Sequence, residues 1–207
     1  MIELRVHSLS KQYGSNRVLS GISFSSNKKT IGIAGSNGAG KSTLLLCLAG
    51  LLKPSSGSYE WFIDSENVSN YNLNHKLGFL APYIELYEEL TGMENLQFLA
   101  DARHLPEGAV ADAVELAEAT LFIHQSYGSL STGQRQRVKM AATLLHEPVV
   151  LMLDEPGSNL DQKGTDTLGR VIHQHTEKGG LVILASNQAM ELSLCEQIID
   201  LNSYRRV

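Results

Sequence analysis

Three stretches of this chain carry residue types at spacings that can do chemistry. Gly35-Ser36-Asn37-Gly38-Ala39-Gly40-Lys41-Ser42 fits G-x-x-x-x-G-K-[ST] at every fixed position. That pattern cradles nucleotide phosphates. Its glycines open backbone conformations closed to other residues, so that successive N–H groups can face phosphate oxygens. A helix beginning at Lys41 adds partial positive charge at its N-terminus. Lys41 is expected to reach the β- and γ-phosphates, and Ser42 to ligate Mg²⁺. The second stretch, Val149-Val150-Leu151-Met152-Leu153-Asp154-Glu155, is an apolar strand ending in two carboxylates. Asp154 is placed to hold Mg²⁺ through water, and Glu155 to polarise the attacking water. Alone it would read as a solvated acidic turn; beside a phosphate loop, bound Mg²⁺ needs such a carboxylate. The third stretch is Leu130-Ser131-Thr132-Gly133-Gln134. Ser131 can cap a helix, and the free N–H groups of that helix start can also accept a phosphate.

These groups need a scaffold. Apolar runs at 31–34, 77–80, 149–153 and 181–185 read as buried strands. Helical patterns at 41–51, 94–102, 109–121, 131–145 and 162–176 alternate with them. Near-continuous apolar strands alternating with helices predict a parallel sheet covered on both faces. Short strands at 2–6, 18–23 and 59–63, bounded by Ser, Gly and Asn, predict an antiparallel layer. From about 85 to 133 helices replace strands. The expected architecture is one α/β domain, with residues 1–84 and 134–207 as the catalytic lobe and 85–133 as an inserted helical lobe.

Composition excludes several roles. Of 207 residues, 43% are apolar, enough for one real core. The formal charge of −5 gives no basic footprint for nucleic acid. No apolar run approaches the ~18 residues that span a bilayer. The start, Met1-Ile2-Glu3-Leu4-Arg5, lacks the pattern of a signal peptide. Cys47 and Cys195 show no metal or redox spacing and read as reduced thiols of a cytoplasmic protein. Any membrane role is therefore expected to pass through a partner.

Leu130-Ser131-Thr132-Gly133-Gln134, followed by Arg135-Gln136-Arg137-Val138, resembles the signature of ABC-type ATPases. The likeness covers almost the whole chain. Lys11-Gln12-Tyr13-Gly14 resembles the segment whose aromatic residue, here Tyr13, stacks on adenine. Ser158-Asn159-Leu160-Asp161 resembles the loop that crosses the dimer interface. Leu86-Tyr87-Glu88-Glu89-Leu90-Thr91 and Glu94-Asn95-Leu96 resemble the start of the family's helical lobe. The resemblance implies a P-loop NTPase core with a mostly parallel sheet. It implies ATP and Mg²⁺ as ligands and head-to-tail dimerisation with a second ATPase subunit, identical or not. Each ATP would lie between residues 35–43 of one subunit, Thr43 included, and Ser131, Gly133 and Gln134 of the other. Arg135 and Arg137 read as structural or surface charges.

Two positions depart from the family. A glutamine usually follows the strand at 77–80; here that place holds Pro82, which offers neither side-chain donor nor acceptor. Tyr83 could reach inward or pack on the helical lobe. A histidine usually follows the last core strand; here Asn187 stands there and carries no charge. Normal MgATP binding with hydrolysis that is slow, or that needs a partner in place, is the expectation. His173 and His175 read as solvent-facing on a helix, with a zinc site there as the lesser alternative.

The resemblance further implies a peripheral subunit on the inner face of the cell membrane, driving an integral membrane permease. The compact C-terminal end is similar to small bacterial exporter ATPases. The stretch from His173 to Leu184 is similar to the haem-exporter ATPases of cytochrome c maturation. Tyr83, Ile84, Leu86 and Tyr87, rimmed by Glu85, Glu88 and Glu89, would either receive a permease helix or staple the helical lobe to the body. A soluble non-transport ABC ATPase and a non-hydrolysing ATP-dependent scaffold are the alternatives.

Overall fold

The computed structural model describes residues 1–69, 72–73, 75–158, 160 and 162–204. Strands β1 (Ile2–Tyr13), β2 (Asn16–Ser26), β4 (Ser56–Ile63) and β5 (Glu66–Val68) form an antiparallel sheet in the order β2-β1-β4-β5. Strands β3 (Thr30–Ala34), β6 (Leu77–Leu80), β7 (Val150–Asp154), β8 (Leu181–Ser186) and β9 (Gln197–Asp200) form a parallel sheet in the order β6-β7-β8-β3-β9. The helices are α1 (Lys41–Leu48), α2 (Gly92–Ala102), α3 (Ala109–Leu116), α4 (Thr132–Leu144), α5 (Gln162–Glu177) and the single turn α6 (Ala189–Leu192).

The central strands β7 and β8 are apolar up to their last residues, Asp154 and Ser186, because both faces are covered. Side chains alternate between faces. On β7, Val150 and Met152 join one core, and Leu151 and Leu153 join the other. On β8, Leu181, Ile183 and Ala185 join the first, while Val182 and Leu184 join the second. The first core lies under α1 and the antiparallel sheet. The second is completed by α3, α4 and α5.

Trp61 locks the two layers on the first side. It is fully buried, and its indole N–H donates 3.2 Å to the Leu48 carbonyl at the end of α1. Trp61→Phe keeps most of the apolar contact but leaves that carbonyl unpaired, a cost of about 1–3 kcal/mol. The expected result is a melting temperature lower by roughly 2–10 °C in calorimetry.

Residues 85–133 carry α2 and α3 and no strand beyond the isolated Thr91–Ser126 bridge. Thr91 heads α2 with a capping box: Glu94 N–H donates to its hydroxyl (3.1 Å), and its own N–H donates to the Glu94 carboxylate (2.7 Å). Buried Asn95 fastens the preceding segment by bonding both the N–H and the carbonyl of Tyr87, each at 2.9 Å.

Several boundaries differ from periodicity. The helix expected over 109–121 ends at Leu116, because Glu118 turns left-handed at φ 52°. The helix expected over 41–51 ends at Leu48, with Gly50 at φ 73°. The N-terminal strands run longer than expected. His173 is exposed and pairs with Glu177 at 3.3 Å, but His175 is not solvent-facing. Its ring lies against Gly180, and burial holds its imidazole below the usual range. Among the described residues no group of three or more His, Cys, Asp or Glu side chains, around His173 and His175 or elsewhere, could hold a metal.

Candidate functional site

The register of the parallel sheet builds the site. Ala34 pairs with Ser186, and Asp154 pairs with Ala185. The C-terminal ends of β3, β7 and β8 therefore lie side by side. The chain leaves these ends into the phosphate loop, the Glu155 turn and Asn187. Clefts at the carboxyl ends of parallel strands are where such sheets bind ligands.

The phosphate loop has the backbone its glycines require. Gly38 sits at φ 74°, and Gly40 caps α1 at φ 99°. A side chain on Gly40 would also meet Leu19 Cδ2 at 2.7 Å and the Val18 carbonyl at 3.1 Å. Ala39 N–H closes the loop on the Ser36 carbonyl at 2.9 Å. Asn202, from the short helical turn Leu201–Tyr204, anchors it from outside: the Ser36 hydroxyl donates to its side-chain oxygen at 3.1 Å.

Lys41 is 5% exposed and curls back over this loop. Its ammonium donates to the carbonyls of Gly35 (3.1 Å) and Ser36 (3.4 Å) and lies 3.5 Å from Glu155 Oε1. Asp154 is 1% exposed, and its Oδ1 is buried with no hydrogen-bond partner. Burial pushes its carboxyl above the usual range, against the neighbouring Ser42 hydroxyl, which pulls it down. An orphaned buried carboxylate oxygen beside a serine hydroxyl is a donor set that fits a hard divalent cation. Thr43 follows, half-buried, in the first turn of α1.

Glu155 takes a left-handed backbone, φ 47°. Its N–H bonds the Ala185 carbonyl at 2.8 Å, and its own carbonyl accepts from the Ser158 hydroxyl (2.8 Å) and N–H (3.1 Å). Asn187 does not stand free: its amide donates 2.8 Å to the side-chain oxygen of Asn37, bridging β8 to the phosphate loop. Pro82 is exposed and offers only its carbonyl, which accepts from Lys139 at 3.4 Å. Tyr83 is 57% exposed rather than packed on the helical segment. Burial, then the Asp154 charge, pushes its phenol up.

The signature forms the head of α4. Gln134 N–H donates to the Ser131 hydroxyl (3.3 Å), and the Gln134 side chain accepts from Ser131 N–H (2.9 Å). The Gln134 side chain is thereby used in the cap. Ser131 and Thr132 are exposed, and Gly133 is half-buried. Arg135 bonds the Leu130 carbonyl (3.2 Å) and Glu88 (3.3 Å), and lies 5.5 Å over the Tyr127 ring. Arg137 faces Glu118 at 3.7 Å. The resemblance also named a loop at 158–161, of which Asn159 and Asp161 lie outside the described residues.

Tyr13 ends β1 at 49% exposure, with Lys11 Nζ 5.1 Å from its ring centroid. A hollow of about 650 Å³ opens beside the phosphate loop, lined by Arg17, Val18, Gly38, Ala39, Leu201 and Tyr204 among others. Tyr13 is outside that lining. Arg17, Tyr204 and Asn202 were not anticipated. They come from a strand start and a terminal turn whose composition carries no signal.

The ABC transporter family profile matches residues 19–158. The probable multidrug ABC transporter ATP-binding protein YbhF of Escherichia coli K12 is 36% identical over 83% of this chain, which spans only 30% of YbhF. The cytochrome c biogenesis ATP-binding export protein CcmA of Escherichia coli O157:H7 is 34% identical over 92% of this chain and 91% of its own length. Among solved structures, cbiO1 of Clostridium perfringens, part of the ABC transporter complex cbiONQ, superposes with a TM-score of 0.80 at 28% identity. That match covers 95% of this chain and 83% of cbiO1. With a profile spanning more than half its length and a relative matched nearly end to end, the chain belongs to the ABC transporter family, among its ATP-binding subunits.

Proposed function

We propose that this chain binds and hydrolyses MgATP to drive an ABC transporter, as a peripheral subunit on the cytoplasmic face of the membrane. The observation that carries the reading is the convergence, at the carboxyl ends of the central parallel strands, of Lys41, Ser42, orphaned Asp154 and Glu155. Lys41 leaves the Gly35 and Ser36 carbonyls for the β- and γ-phosphates. Backbone N–H groups of residues 36–43 take the remaining oxygens, and Tyr13 stacks on the base. Ser42 and Asp154 would hold Mg²⁺, which neutralises charge gathering on the phosphates. Glu155, released from Lys41, orients the water. Ser131 and the Gly133 N–H close the γ-phosphate from a facing subunit, identical or not. Residues 1–84 with 134–207 form the catalytic lobe, and 85–133 the lobe that presents the signature.

No helix among the described residues is long and apolar enough to cross a membrane. An integral permease is therefore the proposed partner. Tyr87, 56% exposed with Phe98 edge-on at 5.7 Å, would receive it together with Tyr83. Glu85 and Glu88 at that rim are already engaged, by Lys139 at 3.2 Å and Arg135 at 3.3 Å. Expression with an adjacently encoded polytopic membrane protein should bring the chain into the membrane fraction. Recovery only with ribosomes or soluble assembly factors would sink the transporter reading.

A second reading, an ATP-dependent scaffold with inefficient turnover, is favoured by Pro82 and by the Asn187–Asn37 bridge. Asparagine can hydrogen-bond a γ-phosphate but brings no charge. Asn187→His is expected to raise steady-state turnover at saturating MgATP by about tenfold or more. An unchanged rate removes the role given to Asn187.

A further inference from the structure

Two buried side chains away from the phosphate loop converge on the turn that follows Glu155. Gln136, in α4, is 6% exposed, and its amide donates 2.9 Å to the Pro156 carbonyl. Glu191, in α6, is 4% exposed and lies against the same turn: a side chain on Gly157 would collide with its Oε1. The Ser186 hydroxyl and Gly157 backbone are its polar neighbours. Even so, neither carboxylate oxygen has a hydrogen-bond partner within bonding geometry. A buried polar group left this way is costly and calls for a reason.

The turn itself needs holding. Glu155 is not glycine, yet it sits at φ 47°. Such a backbone persists only where its surroundings over-determine it. Its local bonds, to Ala185 and Ser158, fix its own peptide units. They do not fix the direction in which the turn leaves the sheet. Gln136 holds Pro156 from one element and Glu191 walls off Gly157 from another, so the carboxylate between Asp154 and Pro156 is aimed from outside the site. Gln136 also lies five residues beyond Ser131 on a continuous helix, about 7.5 Å along its axis. A shift of that helix head is carried rigidly to Pro156.

We infer that Gln136 and Glu191 are positioning residues that clamp the turn after Glu155, and that Gln136 makes the aim of Glu155 depend on the helix headed by Ser131. The inference rests on the reading proposed above, in which Glu155 polarises water and Ser131 engages the facing subunit's ATP. Its content is new to that reading. Ser131 serves the partner's nucleotide, while Glu155 serves the chain's own. The Gln136–Pro156 bond therefore joins the two ATP sites through one subunit, and Glu191 keeps the turn from yielding on its far side.

The test uses the full chain and MgATP. Gln136→Met keeps length and removes the donor. It should lower kcat about ten- to hundredfold, leave KM and MgATP affinity within about twofold, and bring the Hill coefficient for ATP towards one. Glu191→Ala should lower kcat in the same way, whereas Glu191→Gln, which keeps the shape, should stay close to wild type. Melting curves separate these effects from failure to fold. If Gln136→Met does not fold, the Glu191 pair carries the test alone. Variants with wild-type kcat and Hill coefficient overturn the clamp. So does a loss in which KM rises in step with the fall in kcat, since that reports distortion of the phosphate site. A wild-type chain that binds MgATP but never cleaves it in single-turnover assays overturns the Glu155 reading, and the clamp with it.

Discussion

Lys41→Met should weaken MgATP binding by roughly 10²–10³-fold while leaving the fold intact. Lys41 is buried and aimed into the loop by the Gly35 and Ser36 carbonyls, so its charge is already placed where phosphate oxygens would lie. A hydrogen bond to a charged group contributes about 1.5–3 kcal/mol. Two such bonds to the β- and γ-phosphates join opposite charges and are stronger than the two bonds to neutral carbonyls that are given up. A net gain of about 3–4 kcal/mol corresponds to that factor, each 1.4 kcal/mol being tenfold in affinity. Methionine keeps an unbranched apolar stem of similar length at the start of α1. The lost ion pair with Glu155 costs little in stability, because that carboxylate is 38% exposed and solvent screens the pair. Titration with a fluorescent ATP analogue gives the affinity, and a melting curve gives the control. Affinity within threefold of wild type would remove Lys41 from the phosphate site.

What could be read from the chain was contiguous. The phosphate loop and the carboxylates after β7 are each one short stretch whose neighbours in sequence are its neighbours in space. The alternation of apolar runs with helical periods foretold the parallel sheet, because burial on both faces leaves no polar position on β7 or β8 before their last residues, Asp154 and Ser186. What escaped was long-range. Asn37 and Asn187 meet across 150 positions, and Ser36 and Asn202 across 166. No local pattern marks such pairs, since asparagine and serine are equally at home in solvated turns. Glu118 escaped for a different reason. Its left-handed turn suits glycine, and a glutamate there looks like one more helical residue. His175 escaped because α5 looks polar around it, while its ring is covered by residues that approach from outside the helix.

The departures at Pro82 and Asn187 act on one part of the site. Binding of the nucleotide depends on Lys41, Ser42, Asp154 and the loop N–H groups, none of which is altered. Placement of the attacking water depends on groups facing the γ-phosphate. There a proline offers only its carbonyl, and an asparagine is occupied with Asn37. Affinity and turnover are therefore expected to separate in this chain more than in a relative with glutamine and histidine at these places.

That separation makes Glu155→Gln the sharpest measurement of turnover. Glutamine preserves the shape, the backbone bonds to Ala185 and Ser158, and the left-handed turn. It removes the negative charge that polarises water. General-base catalysis contributes about 10²–10⁴-fold, so kcat should fall by that factor from whatever rate the wild type shows. Binding should change in the other direction. Without the 3.5 Å contact to a carboxylate, Lys41 loses the partner that competes with phosphate. MgATP affinity should hold or rise, and the ATP-bound head-to-tail dimer should outlive its formation instead of decaying with hydrolysis. Phosphate release and sedimentation velocity in MgATP read the two halves. Undiminished turnover in Glu155→Gln would mean that another group activates the water. Lost turnover without a persistent ATP-bound dimer would mean that the helix headed by Ser131 does not close a site in a second subunit.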